Sequence, residues 1–135
     1  MKTFKLKGLE ILENEDKQIK QQTFDLIDGL VINREDKFGW LIEAYMDAKY
    51  LPFLLEIDKE IEFMIKVKIT REANDPAFFV IKMVGIDEIG ENNINVIFQG
   101  QIVDQKKSRI EEMLQMIIEE GYQGESLLKK FKELI

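Results

Sequence analysis

The chain has 135 residues, with no cysteine, no histidine, 19 basic and 26 acidic side chains and a net charge of −7. That length fits one domain, and the two zeros exclude disulfides, thiol nucleophiles, cysteine or histidine zinc sites and imidazole acid–base chemistry. A chain this acidic repels phosphate backbones and anionic bilayers, so neither duplex nucleic acid nor a membrane is an expected partner. Hydrophobic residues at 45% and charged residues at 33% argue for a packed core rather than disorder.

In chain order, a period of two governs residues 3 to about 104. The start, Met1 to Lys7, alternates apolar and basic residues and lacks the apolar run of a secretory signal. No stretch approaches the ~20 apolar residues of a membrane span, so the expected location is the cytoplasm. Gly8 interrupts the first strand pattern as a candidate bulge. Turn signals follow at Asn14–Lys17, Asp28–Gly29 and Arg34–Lys37.

Residues 38–46 place Phe38, Trp40, Ile42, Ala44 and Met46 on one strand face. The stretch 47–60 is either a short helix or an irregular strand after Pro52. Residues 61–70 form the clearest strand, with Ile61, Phe63, Ile65, Val67 and Ile69 alternating with Glu62, Met64, Lys66, Lys68 and Thr70. Asn74-Asp75-Pro76 marks a turn. Residues 78–86 are apolar in both phases, which predicts cover on both sides, and Gly85 is a second candidate bulge. After a turn at 90–93, residues 94–102 repeat the alternation with Ile94, Val96, Phe98, Gly100 and Ile102. Turns this closely spaced suit an antiparallel meander or barrel, since a parallel sheet needs crossover helices.

Beyond about residue 106 the period becomes 3.6. Ile110, Met113, Leu114, Ile117 and Ile118 form one helical stripe, with Ser108 and Glu111 as a capping box and Gly121 as a left-handed C-cap. Leu127, Leu128, Phe131, Leu134 and Ile135 form a second stripe, and the short connection predicts an antiparallel hairpin. In the first helix Lys106, Lys107 and Arg109 precede Glu119 and Glu120, against the helix dipole, so packing must hold it. Residues 105–135 carry 6 basic and 6 acidic side chains, so residues 1–104 hold the whole negative charge. Most of that charge reads as a solubility device; a partner with a basic surface is the sharper alternative.

Chemistry has little to work with. Ser108 and Ser126 have no base, and Gly124-Glu125-Ser126-Leu127 lacks the second glycine of a nucleophile elbow. Glu56, Asp58, Glu60 and Glu62, and the group Glu13, Glu15 and Asp16, fall in the polar phase and read as solvated faces rather than acid–base pairs. No calcium loop or phosphate loop is present. Lys5, Lys7, Lys66 and Lys68 lie near Phe4 and Phe63 in sequence but in the opposite strand phase, which suits an amphipathic strand better than a nucleic-acid platform. Phe78 and Phe79 point to opposite faces, so one ring leaves the interior. It packs under the helices or marks a contact, and Asp75 and Phe78 are the candidate partner-binding residues.

The segments Met1–Leu6, Asp28–Asp36, Trp40–Tyr45 and Asn74–Phe79 resemble the YwpF-like family of Gram-positive bacteria along the full length. The resemblance implies a β-barrel followed by a helix pair, a barrel similar to tube-forming subunits of type VI secretion systems, and no catalytic motif. Independently of it, the residues predict an α+β arrangement, strands first and a helical hairpin last. With the resemblance, the expected fold is an antiparallel β-barrel over 1–104 and a C-terminal helical hairpin over 105–135, packed on it as a single compact unit. The expected function is a non-enzymatic protein-interaction or assembly module, through a protein partner or self-association, with no catalytic, cofactor or metal residues. A small-ligand or single-stranded nucleic-acid binder in the barrel mouth is the alternative, and a paired-carboxylate hydrolase is a third.

Overall fold

The computed structural model describes residues 1–15, 18–35, 39–103 and 107–134, with backbone alone for 13–15, 18–21, 107 and 108. Seven strands precede the helical part: β1 (Lys2–Glu15), β2 (Gln18–Phe24), β3 (Leu26–Asn33), β4 (Trp40–Asp47), β5 (Phe63–Ile69), β6 (Ala77–Ile89) and β7 (Asn93–Ile102). Their order is β2-β1-β3-β4-β7-β6-β5, every pairing is antiparallel, and a further β1–β5 pairing closes six of them into a barrel. This is the predicted fold class. The N-terminal strand closes it because one edge of β1 bonds β5 over Leu6–Leu12, while the other bonds β3 over Lys2–Lys5 and β2 over Leu9–Glu15. β2 and β3 are thus two halves of one return path, broken at Asp25.

Register shifts fall between Leu6 and Gly8, between Leu26 and Asp28, and between Met83 and Gly85. Two of the three sit at the glycines that the sequence marks as bulges, and such irregularities let a sheet bend enough to close. Gly100 serves a different purpose. A Cβ there would collide with the Val80 carbonyl oxygen, so β6 and β7 approach too closely for any side chain.

The alternating residues fill the interior. Val31, Ile42, Ala44, Ile65, Val67, Phe79, Val96 and Phe98 are all wholly buried in one cluster. Edge-to-face ring pairs, Trp40 with Phe79 at 5.3 Å and Phe63 with Phe98 at 6.0 Å, add directional contacts.

The ambiguous stretch 47–60 resolves into a 3-10 turn at Ala48–Tyr50 and the short helix α1 (Leu51–Leu55), with Pro52 in its first turn, where the missing N–H costs nothing. Asp47 caps the 3-10 turn by accepting the Lys49 N–H at 2.7 Å. Leu54 is fully buried in the barrel cluster, and Tyr50, Leu51, Phe53 and Ile57 pack against it. This segment plugs the barrel where β3 begins, β4 ends and the β6–β7 hairpin turns; that end is termed the capped end. The opposite end, where β5 runs into the loop 70–76, is the basal end.

Helices α2 (Lys107–Glu119) and α3 (Gly124–Leu134) lie outside the barrel. Ile110, Met113, Leu114, Ile117, Leu128 and Phe131 bury against Met64, Phe78 and Val80, with Leu12 alongside. Those four barrel residues occupy the outer faces of β1, β5 and β6, with Leu12, Met64 and Val80 aligned in register. Met64 shares the phase of Glu62, Lys66 and Lys68, yet it is buried because the hairpin covers it. Packing holds α2 despite its unfavourable terminal charges, as expected. Gly121 at φ +94° closes it, with its N–H on Ile118 O at 2.9 Å. Ser108, expected to cap this helix, falls within its first turn, and its side chain lies outside the described residues.

Candidate functional site

The two candidate partner residues sit in one loop-to-strand passage but in different surroundings. Phe78 is 2% exposed and belongs to the layer between barrel and helices. The ring that leaves the interior thus packs under the hairpin. Asp75 is exposed in the loop 70–76.

That loop is tied down. Thr70 has φ +70°, and the Arg71 N–H reaches back to Ile69 O at 2.8 Å, closing a γ-turn of the strained kind on a β-branched residue. The Thr70 N–H donates to Lys5 O at 2.8 Å. Asn74 Nδ2 donates to Ile69 O at 2.8 Å, and Lys68 Nζ donates to Asn74 O at 2.7 Å. The barrel thereby presents Asp75 on a fixed loop rather than a loose one.

Beside the loop, Lys5, Lys7, Lys66 and Lys68 lie on the outer faces of β1 and β5, while Phe4 and Phe63 pack against the interior. Rings and ammonium groups are on opposite faces, as their phase predicts. Lys5 Nζ donates to Asp28 Oδ1 at 3.1 Å, and the same oxygen accepts the Gly29 N–H at 2.8 Å. The Gly29 N–H first, and Lys5 second, hold the Asp28 carboxyl below the usual carboxylate value.

Charge is divided between the two ends. Around the capped end Asp47, Glu56, Asp58, Asp87, Glu88 and Glu91 are exposed, against Lys49 and Lys59. Three large apolar side chains are also exposed towards this end, Ile27 at 55%, Leu55 at 66% and Ile89 at 45%. At the basal end Lys2, Lys5, Lys7 and Arg71 are exposed with Arg34 and Lys68 half-buried, against Glu35, Glu72, Asp75 and the Asp28 bound to Lys5. The sequence reading missed this polarity, because residues far apart in sequence share a rim only after the barrel closes. Leu26-Ile27 and Leu54-Leu55 carry a faint signal: adjacent apolar residues cannot both face one interior.

The alternating carboxylates at 56–62 do not form a strand. Asp58 Oδ1 accepts the Glu60 N–H at 2.8 Å, which fixes a turn before β5. Glu60 and Glu62 instead line a shallow cleft of about 270 Å³ with Lys82, Glu125, Lys129 and Lys132. Lys132 Nζ bonds both oxygens of Glu62 at 2.8 Å, clamping α3 to the entry of β5. Among the described residues no group of three or more carboxylates converges as a metal ion would need, and no helix is long and apolar enough to cross a membrane.

Comparison with known proteins bears on the whole chain. The model of the family described as YwpF-like protein matches residues 2–134. The chain is 37% identical to a Bacillus subtilis (strain 168) protein described as uncharacterised protein YwpF, over 98% of both chains. The crystal structure of a hypothetical protein from Staphylococcus aureus superposes with a TM-score of 0.67 at 33% identity, covering 99% of this chain and 92% of that one. The chain belongs to the YwpF-like family.

Proposed function

We propose that this member of the YwpF-like family is a non-enzymatic, cytoplasmic protein-interaction module that docks its partner on the capped end of the barrel. The observation that carries this reading is that Ile27, Leu55 and Ile89 are each exposed at the carboxylate-rich end of the barrel. Large apolar side chains exposed among charged ones suit a protein contact, and carboxylates around them select a partner with basic residues beside its own apolar surface. The absence of cysteine and histidine supports the non-enzymatic part. The alternative of a ligand in the barrel mouth is disfavoured at this end, where Leu54 and Phe53 occupy the mouth. Assembly into rings, as the secretion-tube resemblance would imply, is the narrowest form of the proposal, and electron microscopy without rings removes that form.

The test is capture from native cytoplasm by the wild-type chain and by Leu55→Asp. Leu55 is exposed, so the variant keeps its fold, which circular dichroism checks. A protein retained by the wild type and lost by the variant supports the docking face. Equal capture by both chains overturns it.

A further inference from the structure

We infer that the partner of the capped end is the basal end of a second copy, so that barrels associate head to tail. The inference rests on the reading above and names its partner. The two ends lie at opposite extremes of the same antiparallel strands: β6 runs from the loop 70–76 up to the hairpin that carries Asp87, Glu88 and Glu91. One rim is acidic and the other basic. Lys2, Lys5, Lys7 and Arg71 at the basal end are exposed, and Lys7 and Arg71 make no ion pair among the described residues.

The apolar parts match as well. Ile102, at the end of β7, is 39% exposed at the basal rim and offers a counterpart for Ile27, Leu55 and Ile89. In such a contact the apolar residues supply affinity, while the opposed charges set orientation and speed of encounter. Each copy uses two different surfaces, so the contact is heterologous and leaves a free acidic end and a free basic end for further copies. Capped against capped, or basal against basal, opposes like charges.

Sedimentation velocity of the full chain at 20 mM and 500 mM NaCl tests this. The wild type should associate at low salt, with an association constant falling roughly tenfold or more at high salt as the rims are screened. Glu88→Lys with Glu91→Lys should remain a monomer, as should Lys2→Glu with Arg71→Glu. Mixed in equal amounts, the two variants should restore association, because the unchanged basal end of the first meets the unchanged capped end of the second and the two reversed ends are themselves complementary. A wild type that stays monomeric at 20 mM NaCl, or a mixture that stays monomeric, overturns the inference. If the wild type is monomeric while Leu55→Asp still loses its captured protein, only the head-to-tail inference falls and the docking face stands.

Discussion

Lys132 on the last helix holds Glu62, at the threshold of β5, through 2.8 Å contacts to both carboxylate oxygens. It is the closest ion pair among the described residues between the helical hairpin and the barrel, and it spans 70 positions of sequence. Its side chains remain 45% and 38% exposed, so water screens it. Breaking it by Lys132→Met or Glu62→Gln should cost about 0.5 kcal/mol, less at high salt. A double-mutant cycle in urea measures the coupling; a value above about 2 kcal/mol would contradict the screening argument.

The apolar contacts beneath that pair matter far more. Phe78→Ala should destabilise the chain by about 3–5 kcal/mol, because it opens a void between barrel and helices that neither layer can close. The urea midpoint reports it. Loss of hydrogen-exchange protection in α2 and α3 with the barrel strands still protected would show the hairpin detaching by itself.

Asp28 gives a pH signature. Its carboxyl is held below the ordinary 3.8 in the folded chain, first by the Gly29 N–H and then by Lys5. A depressed folded value means stability that is present above the unfolded value and lost as pH falls through the folded one. The advantage of the wild type over Asp28→Asn should therefore persist at neutral pH and shrink below about pH 3.8. Parallel melting curves for the two chains from pH 7 to pH 2 decide it, and a constant gap would refute the assignment.

Much of this architecture was legible in the sequence. The alternation of Ile94, Val96 and Phe98 marks β7, and the doubled apolar phases of Phe78, Phe79, Val80 and Ile81 mark a strand covered on both sides. Met64 was not legible, since one apolar residue among lysines does not announce that a helix will lie over it. Nor was the shared rim of Leu55 and Ile89, because alternation reports which face a side chain takes and not which distant side chains it will join. Phe78 had two readings in sequence, and burial under the hairpin settles its place in the fold.

Thr70 offers a gain rather than a loss. A β-branched residue at φ +70° is strained, and asparagine tolerates that region far better. Thr70→Asn should raise stability by about 1 kcal/mol. The check is the thermal midpoint of the variant, and a fall would mean that the Thr70 side chain has a role its exposure does not reveal.

β1 precedes the other six strands and is the one that completes the cylinder, because its seam along Leu6–Leu12 waits for Met64–Ile69 to arrive. A nascent chain halted before that point has a dangling edge and no way to seal it. Contacts of such long sequence separation delay folding, and the exposed edge is where two unfinished chains would pair by mistake. Rapid dilution at high concentration should therefore lose more material to aggregation than slow release at low concentration.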